Sequence, residues 1–310
     1  MFLRNDYFEY TPSIRPNSNI YEETYIRAKQ LYDLNPGKIT LSMSSGLDSQ
    51  TMLLAFLDQD LDVECAFMHL PGYNDNEYTQ LKILENKFNF KSQIVTIDPI
   101  ASRSEIEHSA NLLDVHCVAA LHTKFLSQLP TDRLFVQHLH DHFIYCRNGK
   151  VPYFVDGYYT PANARLRAFK SLNRPGGEIS FTNTSEYLYS IIGDDIYRAA
   201  IISAEYFDNN GLKVDGKKWL KTVDRWDYYI KPIMFGKYWK NRLVYFPKFA
   251  GSENVDYLCT NPMFLQKMIA IPYFEFLDLL QTTNNTIQIK FNTLPDDIAA
   301  TFKAYEPNIQ

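Results

Sequence analysis

Apolar and polar positions follow two different periods through the first half of the chain. Lys38 to Met43 sets Ile39, Leu41 and Met43 on one face of an extended run, and Met52, Leu53, Phe56 and Leu57 then recur at helical spacing across Asp48 to Leu57. Val63 to Met68 is a second apolar run. Asn74 with Glu77 three residues later reads as a capping box, opening a helix that carries Tyr78, Leu81, Ile83 and Leu84. Gln93 to Ile97 predicts a third strand, the stretch from about Glu105 to Leu129 a long helix, and Arg133 to Gln137 a fourth strand. This alternation predicts βαβ units in a doubly wound parallel α/β sheet, with ligands at the carboxyl ends of its strands.

Past roughly residue 150 the alternation fades. The stretch "NRPGGE", Asn173 to Glu178, reads as a turn or linker, and long aromatic-rich segments follow. The expected organisation is an N-terminal extension over 1–35, an α/β domain over 36–150, and a mainly helical region over 151–310 that packs on the domain and closes a cleft. Hydrophobic residues at 45% and charged residues at 22% describe a folded chain, and the aromatic share of 15% is high enough to furnish a bulky core. A net charge of −5 argues against a surface coated in basic residues for gripping nucleic acid, while leaving room for a local basic cleft. Cys65, Cys117, Cys146 and Cys259 show no CxxC spacing and read as reduced thiols of a cytoplasmic protein. No apolar run reaches the length of a membrane span, and "MFLRNDYFEY" lacks the apolar core of a signal peptide, so no membrane partner is expected.

The chemistry concentrates in the turn between the first strand and the first helix of the alternating region, Ser44-Ser45-Gly46-Leu47-Asp48-Ser49. A strand passing through small residues into a helix directs several backbone N–H groups and the positive helix end at one spot, with hydroxyls beside them. That is an anion site of phosphate size. The turn lacks the GxxxxGK[ST] of a Walker A loop and the GxGxxG of a dinucleotide fingerprint. It resembles the S-G-G-x-D-S signature of the PP-loop ATP pyrophosphatases, a superfamily that includes the synthetase domains of asparagine, GMP and NAD synthetases. Ser45 stands where the commonest form of that signature has glycine. The resemblance covers roughly residues 36 to 140 and implies a sheet of the HUP/PP-loop type.

It also implies a chemistry. ATP would be cleaved between its α and β phosphates, with Ser44, Ser45, Gly46 and Ser49 around the departing pyrophosphate and Asp48 holding Mg²⁺, a hard cation that takes few ligands from protein. The segment just past the second strand lies against adenine in this family, which makes Met68 and His69 the candidates here, chiefly through their backbone.

Two further stretches bear on the site. In "QHLHDHFIYC", Gln137 to Cys146, His138, His140 and His142 share one face if the chain stays extended, which suits a metal cluster. The corresponding region of asparagine-synthetase-like domains carries an acidic loop, so the resemblance assigns His140 or Asp141 to substrate, pyrophosphate or Mg²⁺. The segment "KPIMFGKYWKNRLVYFPK", Lys231 to Lys248, interleaves Lys237, Lys240, Arg242 and Lys248 with aromatics; "NARLRAFKSLNR" offers Arg165, Arg167, Lys170 and Arg174. In PP-loop synthetases a distal Lys or Arg completes the phosphate clamp, and either segment could supply it.

The leading expectation is an ATP-dependent, AMP-forming ligase that adenylates a carboxylate, amide or carbonyl of a small substrate for attack by ammonia or an amine. With only about 35 residues ahead of the first strand there is no room for a glutaminase portion, so the nucleophile arrives free or from a partner chain. The alternatives are a nucleobase-modifying enzyme acting on nucleic acid or a nucleotide, and a nucleotide-binding protein without catalysis, against which Asp48 counts.

Overall fold

The computed structural model describes residues 2–3, 7–10, 18–115, 117–138, 143–145, 153–157, 161–182, 184–199, 230–246, 268–282 and 286–290. In chain order the elements are β1 (Phe2–Leu3), β2 (Tyr7–Tyr10), α1 (Ile20–Leu34), β3 (Ile39–Ser42), α2 (Leu47–Leu57), β4 (Glu64–His69), α3 (Asp75–Phe88) and β5 (Ser92–Thr96). They continue with α4 (Arg103–Leu113), α5 (Cys117–Ser127), β6 (Leu134–Gln137), β7 (Phe143–Tyr145), β8 (Tyr153–Gly157), α6 (Pro161–Lys170), β9 (Glu178–Ser180) and α7 (Ser185–Ile192). Helix α8 (Lys231–Trp239), a 3-10 turn (Lys240–Arg242), β10 (Met268–Pro272), α9 (Tyr273–Thr282) and β11 (Ile287–Lys290) complete them.

The centre is a five-stranded, wholly parallel sheet in the order β5-β4-β3-β6-β9, flanked by helices. Counted along the chain, that order is 3-2-1-4-5. The strand order therefore reverses between β3 and β6, and a doubly wound sheet opens a crevice at the carboxyl ends of such a pair. Two smaller antiparallel sheets, β1-β2-β11 and β10-β8-β7, accompany it.

Strand alternation decides what each face buries. Ile39, Leu41 and Met43 of the β3 run, with Leu134 and Val136 of β6, join α1, α2, α7, α8 and α9 in one apolar cluster. Ala66 and Met68 of β4, with Phe135 of β6, join α4, α5 and α6 in the other. Helix α2 is apolar almost all round, and Ser49 through Phe56 are all buried because α1 and α8 cover it in addition to the sheet. The aromatic surplus goes here: Phe181, Tyr187, Trp239 and Tyr273 are among the largest fully buried side chains.

Several sequence expectations are refined. The long helix over 105–129 is two helices, because Asp114 adopts a left-handed conformation (φ 51°) and closes α4 with its N–H on the Ala110 and Asn111 carbonyls. Asn74 occupies the N-cap position of α3 without capping it; its amide bridges the Leu70 N–H (2.7 Å) and the Met68 carbonyl (2.8 Å). Among the described residues the stretch after 150 carries strands as well as helices: β8, β9, β10 and β11 lie in it, and β9 completes the central sheet. Helix α1, from the N-terminal stretch, shares its core with Tyr187, Trp239 and Phe276. Among the described residues no helix is long and apolar enough to cross a membrane.

The turn "RPGGE" delivers β9 to its place. Gly176 donates its N–H to the Thr131 carbonyl (2.9 Å), Gly177 has φ +75° and accepts from Phe135 N–H (3.1 Å), and β9 then pairs with β6. A Cβ on Gly176 would lie 2.3 Å from the Arg133 carbonyl oxygen, a backbone atom that cannot step aside, whereas one on Gly37 would meet nothing within 4 Å. Gly176→Ala is therefore expected to lower the urea unfolding free energy by about 2–4 kcal/mol, and Gly37→Ala, whose penalty is only its left-handed φ, by about 1 kcal/mol. Equal midpoints for the two variants would show that the β6–β9 approach is looser than described.

Candidate functional site

The Ser44–Ser49 turn lies at the reversal of the sheet. Met43 still follows the strand, donating its N–H to the Ala66 carbonyl (2.8 Å), and the chain then rises through Gly46, in an extended conformation (φ −69°, ψ 158°), into α2. Gly46 offers no side-chain cap to the first turn of the helix. The Ser44 and Ser49 hydroxyls lie 2.9 Å apart, Ser44 N–H donates to Ser49 Oγ (3.2 Å), and Gly46 N–H donates to Ser44 Oγ (3.2 Å). Ser49 Oγ also reaches the Ser44 carbonyl (2.9 Å) and the Gly46 carbonyl (3.0 Å). These two hydroxyls hold the shape of the turn, a task the sequence did not separate from ligand contact. A Cβ at position 46 would sit 3.3 Å from Ser44 Oγ, so even alanine presses on this arrangement.

Asp48, in the first turn of α2, is the charged centre. Its carboxylate is about one-fifth exposed, and Lys231, the first residue of α8, ion-pairs with its Oδ2 while itself being only 7% exposed. On the other oxygen, His138 Nδ1 stands 3.8 Å from Oδ1. His138 is the residue just beyond β6, across the reversal from β3, and its ring stacks on Phe181 at 5.6 Å. Its Nε2 is 3.0 Å from the Tyr187 hydroxyl, which is 3.4 Å from Thr24 Oγ1. Burial, reinforced by Lys231 and opposed by Asp48, lowers His138 from 6.5 to about 4, so it is neutral at physiological pH. Burial likewise raises the Tyr187 phenol well above its ordinary value. Beside this hydrogen-bonded row, Gln137 is buried, and its Nε2 has no hydrogen-bond partner among the described residues.

The other predicted residues lie apart from that centre in different ways. The Met68 carbonyl accepts from Asn74 and the His69 carbonyl from Ile97 N–H (2.9 Å), so both backbone acceptors proposed for a base are already engaged. The His69 side chain instead pairs with Asp75 (2.8 Å) and stacks on Tyr78 at 4.6 Å; the hydrogen bond from His69 and that from Gly72 N–H hold Asp75 below the usual carboxylate range. Arg242 grips Asp58, the C-cap of α2, at the far end of that helix from Asp48. Burial would raise Asp58, but the hydrogen bonds from Arg242 and Tyr25 outweigh it and leave the carboxyl low. Lys237 is engaged with the Tyr238 hydroxyl (3.1 Å) and with Asp194 (3.9 Å), and Lys240 is exposed in the 3-10 turn. In the first basic segment Arg174 closes the end of α5, donating to the Leu126, Leu129 and Pro130 carbonyls, and Arg167 donates to the Asp114 carbonyl (3.1 Å).

His140, Asp141, His142, Cys146, Lys248 and Cys259 lie outside the described residues. Among the described residues no three His, Cys, Asp or Glu side chains gather as a metal site. Cys65 and Cys117 are buried thiols, and burial pushes Cys65 up to about 12. Residues the sequence reading did not single out are Lys231, Gln50 and Tyr187; Lys231 opens the basic segment already marked, which is the signal that could have found it. No protein-family model matches the chain, and no curated protein matches it.

The depressed His138 has a signed consequence. Above 6.5 it is neutral whether folded or unfolded; below that, the unfolded chain binds a proton that the folded chain refuses until about pH 4, so stability falls as pH drops through this window. Between pH 7 and pH 5 the loss from this one group is about 2 kcal/mol. His138→Gln, which can keep a partner for Tyr187, is expected to flatten the pH dependence of thermal unfolding by that amount. Parallel curves for the two proteins would mean His138 titrates normally.

Proposed function

We propose that this chain is a PP-loop-type ATP pyrophosphatase with a HUP-like sheet, acting as an AMP-forming synthetase on a small carboxylate, amide or carbonyl compound. The observation that carries the reading is that an S-S-G-L-D-S turn opens α2 beside the strand-order reversal while Lys231, from 183 residues away, meets its aspartate. A helix start, a carboxylate and a distal lysine at one crevice form a set suited to a polyphosphate and its cation.

Each group has a distinct task in this reading. The N–H groups at the start of α2 receive phosphate oxygens, and the Ser44–Ser49 hydroxyl pair keeps that turn rigid. Lys231, which ion-pairs with Asp48, turns its ammonium to a phosphate oxygen when ATP enters. Asp48 is then available to a cation. Asp48, a single carboxylate about one-fifth exposed, would hold Mg²⁺, a hard cation that takes few ligands from protein. Bound there, Mg²⁺ supplies charge neutralisation across the polyphosphate. A substrate oxygen attacks the α-phosphorus, the bond from that phosphorus to the α–β bridging oxygen breaks, and pyrophosphate leaves with the electron pair. An amine or ammonia then displaces AMP from the adenylated substrate. Neutral His138 borders Asp48 without adding a competing positive charge.

Two measurements test this. ATP with Mg²⁺ is expected to raise the melting temperature of the wild type, and Gly46→Val to abolish the rise, because its branches fill the approach to the helix start. A rise of the same size in Gly46→Val places the nucleotide elsewhere. The second is chromatography of labelled ATP after incubation with candidate acids, amides, nucleotides or nucleic acid. AMP and pyrophosphate are expected, falling by roughly 10² in Asp48→Asn, the scale of one lost electrostatic stabiliser. Stoichiometric ADP defeats the mechanism, and AMP that appears only with nucleic acid or a nucleotide substitutes the base-modification reading.

A further inference from the structure

The side chain of Gln50 is fully buried and touches two parts of the molecule that are far apart in sequence. Its Nε2 donates to the Ser45 carbonyl (3.0 Å), inside the turn, and to the Val244 carbonyl (2.8 Å). Its Oε1 accepts the Val244 N–H (2.8 Å). Both polar ends of one amide thus grip the backbone of a single residue, as a neighbouring strand would, while a second N–H holds the turn. From Val244 the connection continues: the next residue, Tyr245, donates its hydroxyl to the Pro232 carbonyl (3.0 Å), and Pro232 follows Lys231. The segment from 231 to 245, α8 with the 3-10 turn after it, is closed on itself next to the point where Gln50 holds it, and a Cβ on Gly236 would lie 3.1 Å from the Tyr245 hydroxyl.

We propose that Gln50 is the positioning residue that seats Lys231 on Asp48. Asp48 and Gln50 are two residues apart on α2, and Lys231 and Val244 are the neighbours in sequence of Pro232 and Tyr245, which close the segment, so one amide sets the spacing of both partners. A salt bridge alone leaves a lysine free to swing on its flexible stem; the three hydrogen bonds of Gln50 fix the segment that carries it. That Lys231 is thereby aimed at a phosphate rests on the nucleotide reading above, whereas the seating of Lys231 on Asp48 does not.

The seating is measured without nucleotide. The intact protein is pulsed with an amine-reactive acylating reagent, and the modification of Lys231 is read by peptide mass spectrometry against exposed Lys240. Wild-type Lys231 is expected to be protected. Gln50→Leu and Gln50→Glu, which both lose the two N–H donors, are expected to raise the Lys231:Lys240 ratio roughly tenfold, the scale set by buried carbonyls left without a donor. Tyr245→Phe removes only a hydroxyl from a half-exposed side chain, folds regardless of the fate of the Gln50 variants, and is expected to raise the ratio severalfold. Val95→Ala, a cavity in the other core cluster, destabilises the fold and is expected to leave the ratio unchanged. Protection of Lys231 persisting in Tyr245→Phe and in any folded Gln50 variant overturns the proposal, as does an equal rise in Val95→Ala. If Lys231 is released as expected but ATP with Mg²⁺ neither shifts its labelling in the wild type nor yields AMP, the nucleotide reading fails and the positioning role stands.

Discussion

A carboxylate at the mouth of a parallel sheet, largely withdrawn from water, needs a compensating charge, and at Asp48 that charge comes from Lys231. Removing one partner of such a pair strands the other and typically costs about 3–5 kcal/mol, while replacing both by apolar groups is often neutral or better. Stability alone therefore does not account for placing the pair there. Once it is placed, much else follows: α8 must lie along α2 to deliver its first residue, Trp239 and Phe235 must bury beneath it, and the edge-on contact of Tyr21 with Trp239 (5.2 Å) must bring α1 to the same helix.

The same constraint explains the state of His138. A second positive charge within reach of Lys231 would weaken its attraction to Asp48, and burial against Phe181 and Tyr187 keeps the imidazole neutral instead. The histidine then works as a neutral dipole with one nitrogen toward Asp48 and the other committed to Tyr187. Helices α1 and α7, through Thr24 and Tyr187, thereby reach a site that the β3–α2 turn and the end of β6 alone would have bounded.

How much of this was legible in the sequence follows from the range of the forces involved. Short apolar runs alternating with helical patterns located β3, β4, β5 and β6 to within a residue or two, because the runs are bounded by polar residues that the sheet leaves at its ends. The break at Asp114 escaped detection, since aspartate is not a residue that by itself marks a left-handed helix end and no glycine or proline stands between α4 and α5. Strand β9 escaped because three residues are too few to show a period, and its placement depends on Gly176 lying against the Arg133 backbone. At the site, the turn was legible because its parts are contiguous. Lys231 was not distinguishable from Lys237 and Arg242, because what separates them is the identity of their partners, Asp48 against Asp194 and Asp58, and pairing over that distance has no local signature.

Ser45, where the commonest form of the signature has glycine, can be weighed on conformational grounds. Glycine is required where φ is positive or where a Cβ would collide. Ser45 is not among the residues with positive φ, and neither is Gly46. The backbone at 45 therefore makes no conformational demand for glycine; its carbonyl is turned inward to Gln50, and the residue is buried, not presented at the crevice. At 46 the case differs, because that residue is exposed at the very start of α2 and a Cβ there already approaches Ser44 Oγ. Of the two positions, 46 is therefore the one where a side chain presses on the turn, and a serine at 45 is compatible with it.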